Sequence, residues 1–167
     1  MAKIISSNSK LTLEQIEQFE VKSGIKLPEK YITFLLHWNG GYTEPSFFKI
    51  SKEQGSSVVN VLNGIGDMYD NLEKVIDMYE YRLPKGFIPI GDDPGGNVIC
   101  LGTIEPYHEK IYFWDHENEP ENPDGMKNMY FLANNIYDFL DKLYDEIPDE
   151  LTEDMYDEAS GFGRVCK

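Results

Sequence analysis

The chain has 167 residues, 41% of them hydrophobic and 13% aromatic, enough for one domain with its own core and little beyond it. Thirty acids against 15 bases leave a formal charge of −15, a balance that repels nucleic acid and anionic membranes. Such a charge serves solubility, attraction of cationic partners, or both.

In chain order, "MAKIISSNSK" is polar and lacks the apolar centre of a signal peptide, so residues 1–10 are expected to be frayed. "TLEQIEQFEVKSG" predicts a helix capped by Thr12, with Gln15 reaching back, and closed by a left-handed Gly24. Leu13, Ile16 and Phe19 make its inner stripe. A second helix starts at Pro28, whose missing N–H costs nothing in the first turn. Tyr31, Phe34, Leu35 and Trp38 recur along it at three- and four-residue steps, and Asn39-Gly40-Gly41 stops it. Its apolar stretch "YITFLLHW" is far too short to span a bilayer.

"FFKI" and "SSVVNVLNGIG" are β-branched or aromatic runs cut by glycine, and read as strands. "DNLEKVIDMYEYRLP" returns to helical spacing, with Leu72, Val75, Ile76 and Tyr79 on one face, Asp70 as the cap and Pro84 past the end. "FIPI", "NVICLGTI" and "KIYFWDHE" are three further strands, the last two joined by the short loop "EPYHE". "NEPENPDGMKN" is too polar and proline-rich for regular structure. "LANNIYDFLDKLYDEIP" closes the domain as a helix with Ile136, Phe139, Leu140 and Leu143 inward. The expected domain runs over residues 11–147, and an acidic tail follows over 148–167. Helices grouped before and after a run of strands, rather than alternating with them, argue for an α+β fold. Cys100, in an apolar run, and Cys166 stand far apart outside any CxxC spacing. One possible disulfide is no framework, and the expected compartment is the reducing cytoplasm.

Three stretches invite chemistry. "GDDPGGN" at 91–97 lacks the lysine and the following helix of a phosphate loop, and Pro94, Gly95 and Gly96 occupy slots where a calcium loop needs oxygen ligands. Asp93-Pro94-Gly95 instead matches a β-turn joining "FIPI" to "NVICL". In "FWDHE", Asp115, His116 and Glu117 are metal-capable, but neighbours on a strand point to opposite faces and no second histidine stands at ligand spacing. No nucleophile elbow or Cys–His context is present, so neither an enzyme nor a cofactor is expected; a hydrolase using Asp92 or His116 is the outsider. The third stretch is the acidic run Asp115, Glu117, Glu119, Glu121 and Asp124 beside Tyr112 and Trp114. A solvated loop and an edge that docks a basic protein both fit it, the acids steering and the aromatics supplying contact area.

Taken together, "LPEKYITFLLHWNGG", "FIPIGDDPGGNVICL", "IYFWDHE" and "LANNIYDFL" resemble the successive motifs of the SUKH superfamily, over about Leu11 to Leu143. This group contains the fungal cell-wall-assembly regulator and many bacterial immunity proteins. The resemblance implies a curved, mainly antiparallel sheet with helices packed around it. It also implies an inhibitor that binds a polymorphic or contact-dependent toxin, often a nuclease, rather than an enzyme; a regulatory scaffold binding host proteins is the alternative. Asp92, Gly95, Gly96 and Asn97 fall on the family's glycine-aspartate and glycine-asparagine signature, and Trp114, Asp115 and Glu117 on its aromatic-acidic strand end. The signature positions are expected to serve the fold. Toxin contacts are expected on the acidic edge, Glu117, Glu119, Glu121 and Asp124, with Tyr112, Trp114 and Asp115 beside it. Against a basic nuclease, opposite charge raises association rates by ~10–10³-fold.

Overall fold

Five strands, four of them from the second half of the chain, build the centre of the computed structural model, which describes residues 1–146. They are β5 (Val61–Leu62), β6 (Phe87–Asp92), β7 (Val98–Gly102), β8 (Ile111–Trp114) and β9 (Met129–Ala133), hydrogen-bonded in that order as an open antiparallel sheet. Before them come β1 (Lys3–Ile5) paired with β2 (Tyr42–Glu44), and β3 (Phe47–Ser51) paired with β4 (Gly55–Val58). The helices are α1 (Leu13–Ser23), α2 (Glu29–Trp38), α3 (Leu72–Tyr79) and α4 (Ile136–Asp141). The α+β class and the mainly antiparallel pairing agree with expectation.

Both faces of the sheet are covered, and the strand sequences explain why. Successive side chains on a strand point to opposite faces, and in β7 and β8 nearly every one is apolar. Ile99, Leu101, Ile111 and Phe113 join the main core with Ile16, Phe34, Leu35, Phe139 and Leu140. Val98, Cys100 and Trp114 enter a smaller core on the reverse face with Leu83, Phe87 and Met129. Helix α3 serves both: Leu72, Val75 and Ile76 reach the main core, and Tyr79 the smaller one. Pro89 interrupts β6 without breaking it because the register shifts there, between Pro89 and Gly91, and a bulge tolerates a missing donor. No helix among the described residues is long and apolar enough to cross a membrane.

Local chemistry sets the helix ends. In α1, Thr12 Oγ1 accepts the Gln15 N–H at 3.2 Å, Gln15 Oε1 accepts the Thr12 N–H at 2.8 Å, and Gly24 closes the helix at φ 74°. Ile16 and Phe19 are buried as expected, but Leu13 is 54% exposed, so the inner stripe begins one turn later. Pro28 lies one position outside α2 and brings no capping side chain. The cap comes from the β7–β8 loop, where Glu109 Oε2 accepts the Lys30 N–H at 3.3 Å.

Four expectations need correction. Residues 1–10 are not frayed throughout: β1 pairs with β2, and the buried Ala2 donates its N–H to Leu140 O at 3.2 Å. A strand of three residues carries no periodicity to read. Asn71, not Asp70, caps α3, accepting the Lys74 N–H at 3.1 Å, because the capping side chain must stand directly before the first helical residue. Strand β9 was not expected; Leu132 and Ala133 share helical spacing with Ile136, yet they end a strand, and Asn135 starts α4. Finally, "KIYFWDHE" is a strand only to Trp114. The acidic tail and Cys166 lie outside the described residues.

Candidate functional site

The reversal at 93–97 is held by one carboxylate. Gly96 donates to Asp93 O at 3.3 Å, which closes the β-turn, and Gly96 takes φ 90° while Gly95 stays out of the left-handed region. The turn therefore has the type I pattern with glycine last, rather than the proline-glycine centre of type II. The buried Asp93 carboxylate accepts four hydrogen bonds: from Gly95 N–H at 2.9 Å, Asn97 N–H at 2.8 Å, Asn97 Nδ2 at 3.0 Å and Ser57 Oγ of β4 at 2.7 Å. The turn thus satisfies a buried acceptor with donors from its own backbone and from β4.

Asn97 passes the connection on. Its Oδ1 accepts the His116 N–H at 3.0 Å and lies 2.6 Å from His116 Nδ1. A Cβ at Gly96 would lie in ordinary contact with the His116 ring, 3.5 Å from Cε1, but the φ of 90° there disfavours any side chain. His116 thus joins two turns. Asp115 likewise acts as a cap: it is buried, and its carboxylate accepts the Glu117 N–H at 3.0 Å and Asn118 Nδ2 at 2.6 Å, starting a short 3-10 helix over His116–Asn118. Trp114 is wholly buried, edge-on to Tyr79 with ring centroids 5.7 Å apart. The Trp114 side chain therefore lies wholly inside the fold and that of Asp115 nearly so. Tyr112 is half-buried, edge-on to Phe87, Tyr107 and Phe131.

Glu117, Glu119, Glu121 and Asp124 are exposed together beyond this point, along the loop that returns to β9. Two of them also hold the loop. Glu119 takes a two-pronged bond from Arg82, Nη2 to Oε1 at 2.9 Å and Nε to Oε2 at 3.2 Å, while the same guanidinium lies 5.1 Å from the Trp114 ring. That bond raises the Arg82 pKa further above its already high ordinary value. Asp124 Oδ1 accepts the Lys85 N–H at 2.8 Å. Glu117 and Glu121 make no hydrogen bond or ion pair with the described residues through their carboxylates.

Asp92 differs from every acid so far. It ends β6 half-buried, and its side chain accepts one side-chain bond, from Asn60 Nδ2 at 3.3 Å. Burial lifts its carboxyl above the usual carboxylate range; the Asn60 side chain and the Val61 backbone N–H lower it, and the nearby Asp93 and Asp70 raise it again. None of the ion pairs among the described residues involves it. Sequence reasoning placed Asp92 with the structural signature and passed over the exposed aromatic residues near it, Tyr42 and Tyr69. The available signal was that Met78 falls off the inner stripe of α3 and Tyr69 stands just ahead of the helix, yet both are large hydrophobic side chains.

The family model for the SMI1 / KNR4 family (SUKH-1) matches residues 10–142. Over 152 residues the chain is 31% identical to the SPbeta prophage-derived uncharacterized protein YokK of Bacillus subtilis (strain 168), covering 81% of this chain and 76% of that protein. The Asp93 turn, the Trp114 strand end and the Asn135-capped helix all lie within the matched segment. The chain belongs to the SMI1 / KNR4 family (SUKH-1), whose members are generally of the toxin-immunity type.

Proposed function

We propose that this protein is a cytoplasmic immunity protein that binds a cognate polymorphic or contact-dependent toxin, a basic nuclease domain, and blocks its active site with an acidic surface. Membership of the SUKH-1 family over most of the chain carries this reading. The charge of −15 supports the nuclease: an enzyme that grips a polyanion presents a basic cleft, and a carboxylate-rich protein competes for it. The uses found for Asp93, Asp115 and His116 support binding over catalysis, because these groups hold backbone turns together. Glu117, Glu119, Glu121 and Asp124 form the steering edge. Neither nucleic acid nor a membrane surface is a partner of so negative a protein.

The test is co-expression with the toxin domain encoded beside the gene. Full protection of cells is expected, and an association rate that falls ~10-fold or more between low and physiological salt. Absence of protection, with only housekeeping proteins bound, would favour the regulatory scaffold and remove the immunity reading.

A further inference from the structure

A groove of about 380 Å³ opens beside Asp92, between α3 and strands β5 and β6. Asp92, Asn60 and Asp70 line it together with Tyr42, Tyr69 and Met78. The last three are unusually bare for apolar residues: Tyr69 is 89% exposed, Tyr42 60% and Met78 54%. Tyrosine and methionine are enriched at protein interfaces, and tyrosine is a frequent hot spot. The volume lies near the lower end for ligand pockets, ~300–1,000 Å³, which suits one long side chain better than an extended ligand.

The charge around the groove selects the occupant. Residues 66–81 hold Asp67, Asp70, Glu73, Asp77 and Glu80 against one base, Lys74. Lys74 already places its ammonium 4.8 Å from the centre of the Tyr69 ring, so this aromatic face accepts a cation. Asp92 and Asp70 both line the groove, and neither has an ion pair among the described residues, so the site holds carboxylates able to receive a cation from outside. A second copy of this chain would bring the same acids and be repelled.

We propose that this groove is the anchor socket for a protein partner, receiving an arginine whose guanidinium meets Asp92 and stacks against the tyrosine walls. Arginine fits better than lysine because its planar fork pairs with a carboxylate through two bonds and its faces stack on aromatic rings. The exposed edge at 117–124 then steers encounter, and the groove holds the complex. That the partner is a toxin rests on the function proposed above; the socket's preference for a guanidinium does not.

The socket is tested on the full chain by amide NMR with the capped tripeptides acetyl-Gly-Arg-Gly-amide and acetyl-Gly-Gln-Gly-amide. The arginine peptide is expected to shift resonances at Asn60, Val61, Tyr69 to Lys74 and Asp92, and the glutamine peptide to leave them in place. Asp92→Asn and Tyr69→Ala should each weaken that binding ~5–10-fold, and Tyr69 is exposed enough for its variant to fold. Shifts spread evenly over all exposed acids, or binding unchanged in both variants, would overturn the socket. With the neighbouring toxin domain, either variant should dissociate ~30-fold faster or more. Full affinity in both variants would remove the socket and leave the immunity reading standing. A tripeptide that docks in the groove, beside a toxin that is not neutralised, would remove the immunity reading and leave the socket.

Discussion

Asp92 and Asp93 are neighbours in the chain and opposites in the fold. Asp93 turns into the protein, where four donors surround it, and it fixes the turn that carries Asn97 to His116. Asp92 closes the preceding strand with a single side-chain bond and lines an open groove. A carboxylate saturated by internal donors belongs to the scaffold, whereas one half-buried without a cation is held ready for something outside the chain. The strand ends between them, at Asp92, so identical side chains one residue apart take up separate tasks.

The sharpest way to break this contrast is Asp93→Ala. Removing a buried acceptor strands the Ser57 hydroxyl and the donors of Gly95 and Asn97, and a loss of about 3 kcal/mol is expected in urea unfolding. A loss under about 1 kcal/mol would show that the turn holds without its carboxylate. Asn97→Ala should cost about 1–2 kcal/mol by freeing the His116 N–H from its acceptor, with the His116 ring resonances shifting at the same time. Asp92→Asn should have the smallest effect and the opposite sign. Its folded carboxyl is raised, so the native state holds this proton more readily than the unfolded chain, and stability from the group is lost as pH rises through the raised value. The amide keeps the Asn60 bond and cannot ionise, so the variant should melt slightly higher at neutral pH. The gain should disappear below the ordinary carboxylate range, where both proteins are neutral at this position. A variant less stable than the parent at neutral pH would assign Asp92 to the scaffold with Asp93.

Much of this was legible in the sequence, where the signal was local. The Thr12–Gln15 box, the left-handed Gly24 and Asn39, and the reversal at Asp93-Pro94-Gly95 are each settled within a few residues. The left-handed glycine of that reversal proved to be Gly96, one position later. What failed was decided by partners far along the chain. Strand β9 exists because β8 stands beside it, and β1 because β2 does. The aromatic-acidic stretch reads as one motif, but the strand ends inside it; Trp114 and Asp115 go inward and Glu117 outward. A list of acids cannot separate caps from contacts, because that depends on which donors the fold brings near.

The cap on α2 has a consequence for how the protein is made. A ribosome releases the chain from its N-terminus, so Pro28 to Trp38 emerge long before Glu109, which is 79 positions beyond the Lys30 amide it receives. Until then α2 has an apolar inner face and an unclosed N-terminal end. Its completion waits for the β7–β8 hairpin, which ties the first third of the polypeptide to a loop nearly two thirds of the way along it. Nascent chains halted before residue 109 should therefore be targets for chaperones and proteases in a way that chains halted a few residues after α4 are not.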